Sequence, residues 1–544
     1  MIKKPRARLT LDPPALPAPE GAPAPASAPV SPPASASAPA PAPTPAPSES
    51  TPAAKAEPKN GEKEVGYVIS TQDYIVFLEG LPTVKMYDII VTKTGARALV
   101  SSLEKDHVEA LMLDAERPKP GDYFELSSVG LHLPLHINLF GRAINPLGVP
   151  LDGKAGLPPG GEPIDLDITA PGIDGREIVS DQFYTGITVV DTLIPIGKGQ
   201  RELIMCEPRS GKEEFFLDII QSQKTQNRIC IYAAVGRSEI EVKRMTEEIK
   251  RVGADAYTVI IAATSNESAP MIQIAPSIAC ALAEYHRNHG KHVLLIIDDF
   301  GAQAKYAREI ALLAGRIPGR ESYPADIFYQ HSGQVERAGN FNEHYGKGSI
   351  TMLPVIETYV ENFTALIPTN VMSMTDGHIL FTANLRAQGI YPAIEVDRSV
   401  TRVGRQTQTF IHKVLSDRVR SLLAEYHELE RYGRFGSELS LETQLKIKRG
   451  KIVEELLRQE PLTSLPPETQ IMYLSLVFAG FFDKRELETI RTDKIKIIDT
   501  INKGKEYAEI AEYIKTKQSN MDELIVKLQK VLKPLEDVCQ PLQA

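Results

Sequence analysis

The sequence predicts a multidomain α/β protein with an N-terminal β-barrel, a central parallel sheet covered by helices and a C-terminal helical bundle. Three observations support this fold class: short β-rich runs early in the chain, apolar strands alternating with helices in the middle, and long stretches of helical periodicity at the end. The chain has 544 residues, of which 42% are hydrophobic. It is therefore long enough for about three or four domains with a large core.

Residues 1–62 are predicted to form a disordered arm, because they contain little besides Pro, Ala, Ser and Thr. Such a segment has almost nothing to bury and adopts extended, polyproline-like conformations. Two lysines and two arginines open the arm, but no apolar stretch follows them. We therefore expect neither a signal peptide nor a transit peptide, and we expect a cytoplasmic protein.

Residues 63–155 are predicted to form the β-barrel domain. Their short strands are separated by Gly, Pro, Asp and Asn, a spacing typical of a small antiparallel barrel or sandwich. The runs read GYVIST, YIVFLEG, YDIIVTK, ARALVSSL, EALMLD and YFELSS.

Residues 156–398 are predicted to form the parallel-sheet domain, and residues 399–544 the helical domain. Buried apolar strands alternate with helical stretches in the middle of the chain, which indicates a parallel sheet with helices on its faces. These strands read ELIMC, RICIYAAV, AYTVIIAAT and HVLLIID. Towards the C-terminus, periodic segments such as IHKVLSDRVRSLLAEYHELERY replace them.

Charge, hydropathy and cysteine spacing exclude several classes of protein. A net charge of −9 argues weakly against a nucleic-acid partner. The sequence contains no run of eighteen apolar residues, so we expect any membrane link to come through partner subunits. The four cysteines are far apart, which indicates neither a zinc site nor a disulfide framework. They are Cys206, Cys230, Cys280 and Cys539.

A candidate phosphate-binding loop follows the apolar run that ends at Met205. In such a loop, backbone N–H groups face the phosphates, a lysine reaches the β/γ oxygens and a Ser or Thr hydroxyl ligates Mg²⁺. Gly211 and Lys212 fit this pattern, whereas Cys206 stands at the first Gly and Glu213 at the Ser/Thr position. From these residues alone, an ordinary strand–turn–helix connection is the alternative.

Two further segments carry candidate chemistry. Asp298 and Asp299 follow the apolar strand in HVLLIIDDF, where a carboxylate beside a phosphate loop can hold Mg²⁺ through water; a helix-capping acid is the alternative. Arg402 lies in SVTRVG, residues 399–404, from which an arginine could reach the γ-phosphate on a neighbouring subunit. A solvated surface arginine is the alternative there.

From about residue 64 to residue 535 the chain resembles the alpha subunit of the F-type ATP synthase. The resemblance rests on long stretches in the same order and with similar spacing. They are FGRAINPLGVPLDGK (140–154), TGITVVDTLIPIGKGQRELI (185–204), IPGRESYPADIFYQHS (317–332), PVIETYVENFTALIPTNVMSMTDGHILF (354–381) and SVTRVG (399–404).

The resemblance implies a RecA-like central domain and a heterohexameric ring with catalytic beta subunits. It also implies contacts with a central-stalk gamma subunit and with peripheral-stalk delta and b subunits, at the cytoplasmic face of the cell membrane. The membrane would be reached only through the embedded sector, which also determines whether H⁺ or Na⁺ is transported. Family members carry MgATP or MgADP in this subunit without turning it over.

Residue by residue, the resemblance implies two sites. Arg402 aligns with the arginine that alpha presents to the beta catalytic site, and Ser399 with an interface serine beside it. Asp298 aligns with the Mg²⁺-associated aspartate. The implied nucleotide site consists of Arg209, Ser210, Gly211, Lys212, Glu213, Asp298 and Gln459, the last near an adenine-contacting glutamine.

The chain departs from the family at three positions that affect chemistry. Arg237 follows Gly236, where catalytic relatives place a water-positioning Glu and alpha subunits a Gln; a cation cannot act as a general base. Glu213 puts a carboxylate beside a triphosphate, and with Cys206 it predicts weakened or lost nucleotide binding. Glu213 could instead ligate Mg²⁺ directly.

Three functions follow in order of preference. The first is a non-catalytic alpha-type subunit of a rotary ATP synthase that donates Arg402. The second is an alpha-like paralogue without nucleotide that serves only as a structural ring member. The third is a catalytic secretion or RNA-translocating hexamer, which Arg237, Glu213 and the acidic composition oppose.

Overall fold

The computed structural model describes residues 64–127, 131–133, 138–158, 162–164, 166, 168–433, 440–516 and 519–539. The predicted arm of residues 1–62 lies outside these ranges. The three-part fold class is confirmed: a six-stranded closed barrel is followed by a mainly parallel sheet and then by a helical region.

The barrel contains six antiparallel strands in the order β1-β2-β5-β4-β3-β6. Closure leaves no free strand edge, and the interior is filled by apolar side chains such as Val76, Val100 and Phe124. The strands are β1 Val65–Gln72, β2 Ile75–Gly80, β3 Ile89–Thr92, β4 Arg97–Leu103, β5 Val108–Met112 and β6 Tyr123–Leu126.

The central sheet has the order β19-β18-β12-β17-β15-β13-β14-β8, with β16 paired to β17. Its inner strands pair in parallel and are buried along almost their whole length, as expected when helices cover both faces. Its strands are β8 Ala143–Ile144, β12 Glu202–Cys206, β13 Ile229–Arg237, β14 Thr258–Thr264, β15 His292–Asp298, β16 Gly339–Asn340, β17 Ser349–Glu357, β18 Gly377–Phe381 and β19 Val400–Thr401. Two short pairs lie apart from it: β7 His132–Leu133 with β9 Glu162–Pro163, and β10 Gln182–Phe183 with β11 Ile196–Gly197.

Two helices of the central domain begin with a side-chain cap at the N-terminus. Ser238 and Glu241 form a reciprocal capping box at the start of α3, and the Asp299 carboxylate accepts from the backbone N–H of Ala302 at the start of α5. The helices are α1 Thr188–Leu193, α2 Lys212–Gln226, α3 Glu239–Arg251, α4 Ala269–Asn288, α5 Phe300–Leu313, α6 Ile327–Val335, α7 Leu366–Met374, α8 Ala383–Ala387 and α9 Gly404–Thr407.

The C-terminal domain packs its helices around α12, whose residues from Thr469 to Val477 are all buried. The same hydrophobic core includes Phe215 and Ile219 of α2, so the helical domain and one face of the sheet share a core. The helices are α10 Phe410–Gly433, α11 Leu441–Leu457, α12 Pro467–Phe478, α13 Ile490–Lys503, α14 Lys505–Lys515, α15 Met521–Lys530 and α16 Leu532–Val538. In the described ranges, no helix combines the length and the apolar character that crossing a bilayer requires.

Candidate nucleotide site

The candidate site lies where four neighbouring strands end. Strands β12, β17, β15 and β13 are adjacent in the sheet, and their carboxyl ends carry Cys206, Glu357, Asp298 and Arg237. Cys206 pairs with Glu357 in the β12–β17 register, and Asp298 with Ala234 in the β13–β15 register. Ligands of open α/β sheets bind at this edge, so the topology brings the predicted site residues of the central domain together.

The loop between β12 and α2 curls as a phosphate loop does. Arg209 and Gly211 have left-handed backbone conformations, with φ of 62° and 91°. Glu207 fixes the base of the loop, since its carboxylate accepts from the N–H groups of Val360 at 3.3 Å and Ala383 at 2.8 Å. The Ser210 hydroxyl is buried and has no hydrogen-bond partner among the described residues. The loop therefore turns sharply into the N-terminus of α2, which is the position of the phosphates in such domains.

The loop lysine makes all its contacts within the chain. Lys212 is about 1% exposed, and its Nζ donates to both oxygens of Asp298, at 2.9 and 3.0 Å. The same Nζ lies 2.8 Å from Glu357 Oε2. Since an ammonium has three donors, Lys212 has no donor left over.

Arg237 bridges the same acidic groups from the end of β13. Its guanidinium donates to an oxygen of Asp298, to Asp299 at 3.2 Å and to Glu357 Oε2 at 2.9 Å. The Tyr232 hydroxyl, on the same strand, donates to Asp298 Oδ2 at 2.8 Å. We call Lys212, Tyr232, Arg237, Asp298, Asp299 and Glu357 together the ion cluster.

The pKa shifts follow from burial and charge within the ion cluster. Burial disfavours the ionised form of Asp298, but the Lys212 and Arg237 charges outweigh it and lower the pKa of Asp298. Glu357 is shifted in the same direction, because burial is again outweighed by the same two cations, which lower its pKa. Burial also opposes the charge of Lys212, but Asp298 and the other nearby anions raise its pKa well above the usual value. These shifts favour the charged forms of Lys212, Asp298 and Glu357, whereas burial raises the pKa of Asp299.

The two unusual loop residues differ in where their side chains lie. Cys206 is fully buried in the core, with its Sγ 3.6 Å from the carbonyl oxygen of Ile356. Glu213, in the first turn of α2, has a half-exposed side chain with Oε1 3.7 Å from Lys212 Nζ. Partial desolvation raises the pKa of Glu213. Of the two departures in the loop, only Glu213 presents a charge at the site.

Gln459 lies on the segment that follows α11, against the central domain. Its Oε1 accepts from the Thr188 N–H at 3.0 Å and from the Thr188 hydroxyl at 2.9 Å. Its Nε2 donates to the carbonyl oxygens of Gly186 and Thr463, each at 2.8 Å. Every hydrogen-bonding position of this buried amide is used inside the chain, so its adenine contact remains a prediction that would require breaking these bonds.

A cavity of about 670 Å³ is bordered by Gln459. It also contacts Arg386, which lies against Gly211 and forms an ion pair with Glu214 at 2.9 Å. Four cations, Arg386, Arg458, Arg491 and Lys494, face three acids, Glu455, Glu460 and Asp499, in its lining. The volume is that of an ordinary small-ligand pocket.

Arg402 follows β19, the outermost strand on one side of the sheet, and lies near the amino end of β18. Ser399 is used internally, because its hydroxyl accepts from the Leu380 N–H at 3.0 Å and donates to the Glu395 carbonyl oxygen at 2.8 Å. The backbone of Arg402 donates to the Asp376 carbonyl oxygen at 2.9 Å. Its side chain is exposed and forms no hydrogen bond or ion pair in the described ranges. Burial raises the pKa of the nearby Glu202 carboxyl well above its usual value, and the Arg402 charge opposes that rise. The structure therefore fixes the backbone and presents the guanidinium to solvent.

Sequence reasoning missed Glu357 and Tyr232 as members of the site. Glu357 ends the motif PVIE, so a carboxylate at the end of an apolar run was the available signal. Tyr232 lies inside an apolar strand and carries no comparable signal.

The fold and the loop define a nucleotide-binding α/β domain fused to a helical domain. Comparison with family models matches residues 186–401 to the ATP synthase alpha/beta family, nucleotide-binding domain, and residues 408–535 to the ATP synthase alpha/beta chain, C terminal domain. The chain belongs to the ATP synthase alpha/beta family.

Among curated relatives, the chain is 37% identical over 483 residues to ATP synthase subunit alpha of Aquifex aeolicus (strain VF5). The match covers 88% of this chain and 94% of the relative. The predicted resemblance to alpha subunits of F-type ATP synthases is thereby confirmed.

Proposed function

We propose that this chain is a non-catalytic alpha-type subunit of a rotary, ion-translocating ATP synthase. It alternates with catalytic beta subunits in a hexameric ring around a central-stalk gamma subunit. Peripheral-stalk delta and b subunits hold the ring, and the chain meets the membrane only through the embedded sector. The transported ion, H⁺ or Na⁺, is chosen in that sector and not by this chain.

The observation that carries the non-catalytic role is the position of Arg237. It ends β13 beside the phosphate loop, and its guanidinium pairs with Asp298, Asp299 and Glu357. A hydrolytic site needs a group that can orient water and accept its proton there. A guanidinium stays protonated and cannot accept a proton, so this site does not hydrolyse ATP.

Arg402 gives the subunit its part in catalysis at the partner's site. The side chain is exposed and unpaired in the described part of the chain, while hydrogen bonds hold its backbone. A guanidinium on a rigid segment stabilises the charge that develops on a transferred phosphoryl group. We therefore propose that Arg402 completes the catalytic site of the adjacent beta subunit, with Ser399 holding the segment in place.

Co-expression with its own beta and gamma subunits tests the proposal. We expect the isolated chain to lack ATPase activity and the complex to show activity with the mass of an alternating hexamer. A homohexamer of this chain with robust ATPase activity would contradict the assignment. The catalytic secretion or RNA-translocating hexamer would then be the better description.

A further inference from the structure

The ion cluster leaves no acceptor position on Asp298 for a metal. Oδ1 accepts from Lys212 and from Arg237, and Oδ2 accepts from Lys212 at 3.0 Å and from Tyr232 at 2.8 Å. An ionised carboxylate offers about four lone-pair positions, and all of those on Asp298 are used. Mg²⁺, or a water on its coordination sphere, would have to displace one of these donors.

The charges of the ion cluster also oppose binding of Mg²⁺. Lys212 and Arg237 face Asp298, Asp299 and Glu357, so two cations nearly balance three carboxylates before any ligand arrives. A divalent cation held by Asp298 would lie beside a guanidinium in a site shielded from water. Repulsion between like charges is strong there, because the effective dielectric is low. The carboxylates of the ion cluster are therefore not available as ligands for Mg²⁺.

We propose that Arg237 is the resident cation of this site and excludes Mg²⁺ from it, so that Mg²⁺ does not strengthen the subunit's binding of adenine nucleotide. The Arg237 guanidinium occupies Asp298 and Glu357, the two carboxylates nearest the phosphate-loop lysine. Because it is covalently attached to β13, it does not exchange with solvent as a metal ion does. The proposal concerns the same site as the proposed function but does not depend on ring assembly.

The test is ADP binding by the full-length chain, measured by calorimetry in the presence of Mg²⁺ and in the presence of EDTA. For the wild type we expect ADP affinity to change by less than about twofold between the two conditions. In Arg237→Gln the carboxylates are released, and Mg²⁺ should strengthen ADP binding about tenfold or more. The matched control is Arg237→Lys, which keeps a cation in the cluster and should remain insensitive to Mg²⁺.

Thermal unfolding provides a second readout that needs no nucleotide. Loss of Arg237 leaves excess negative charge in a buried site, so Mg²⁺ alone should raise the melting temperature of Arg237→Gln but not that of the wild type. Wild-type ADP binding that strengthens tenfold with Mg²⁺ would overturn the proposal, and this arm requires no variant to fold. A folded Arg237→Gln variant in which Mg²⁺ changes neither the ADP affinity nor the melting temperature would overturn the proposal as well. Neither result would affect the ring role, which co-expression with the beta subunit tests separately.

Discussion

The phosphate loop and the Arg402 segment belong to the same sheet, yet they hold their cations in opposite ways. Lys212 is buried and its three donors all go to carboxylate oxygens of the same chain. Arg402 is exposed, and its guanidinium forms no hydrogen bond or ion pair in the described residues. We predict that Lys212 faces the subunit's own nucleotide site and that Arg402 reaches the site of its neighbour.

This contrast supports the proposal that Arg402 acts on a partner subunit. A cation whose partners are all internal acts on the stability of its own domain, whereas a fixed but unpaired cation is available to another molecule. The loop thus has the form of a nucleotide site with its charges already neutralised. In the Arg402 segment, the guanidinium is exposed at a position from which it can contact a partner subunit.

The largest expected effect is on Arg402. Replacing it with alanine should lower the ATPase activity of the assembled complex about a thousandfold, because the transition-state charge at the beta site loses its counter-ion. Assembly and thermal stability should be unchanged, since the side chain has no partner in the described part of the chain. Steady-state hydrolysis by the purified complex measures the effect. The control is Arg398→Ala, which removes an exposed arginine from the same segment; equal loss in both variants would contradict the role of Arg402.

Arg237→Ala should destabilise the central domain by about 3 kcal/mol, because it leaves buried carboxylates without one of their two cations. Urea denaturation of the full-length chain measures the change. Arg244→Ala is the control, since Arg244 is an exposed arginine on α3. A stability loss no larger than that of the control would show that the cluster is not held by its ion pairs.

Asp218, on α2, should make the stability of the protein depend on pH. Its carboxylate accepts from the Tyr391 hydroxyl at 2.8 Å and the Leu462 N–H at 2.6 Å, and burial raises its pKa to about 6. Its contribution to stability is therefore complete below its unfolded pKa near 4 and is lost as the pH rises through 6. The free energy of unfolding of the wild type, relative to that of Asp218→Asn, should rise by about 2 kcal/mol as the pH falls from 7 to 4.5. Denaturation at both pH values measures it, and a difference independent of pH would contradict the expectation.

The smallest effect should come from Glu213. Glu213→Thr removes a carboxylate beside the phosphate loop and should strengthen binding of metal-free ADP about tenfold. Titration in EDTA measures this change. Cys206→Ala serves as the comparison, because that side chain lies in the core and should leave the affinity unaltered. A larger gain in Cys206→Ala than in Glu213→Thr would show that the loop backbone, and not its charge, limits binding.

Much of the fold could be predicted from local patterns. All six barrel strands and the four named strands of the central sheet are short apolar runs bounded by turn residues, and the structure contains each of them. The sequence does not predict β17, because Pro354 lies inside it and proline cannot donate a hydrogen bond to a neighbouring strand.

The ion cluster could not be predicted, because its members are far apart in the chain. Lys212, Arg237, Asp298 and Glu357 meet only because β12, β17, β15 and β13 are neighbours in the sheet. The apolar runs predict that Arg237 and Asp298 lie at or near strand ends, but they predict neither β17, which carries Glu357, nor the order of the strands. The same limitation applies to Gln459, whose hydrogen bonds to Thr188 join segments from two domains.

The Gln459 contacts have a mechanical consequence. Of the four hydrogen bonds of this buried amide, three join the segment after α11 to Gly186 and Thr188 at the start of α1. Tyr473 of α12 adds a bond of 2.7 Å to the same Thr188 hydroxyl. Bending at this joint would break several largely buried hydrogen bonds, which costs more than bending at an exposed linker. The helical domain and the central domain are therefore rigidly joined at this point, so a displacement of one is expected to displace the other.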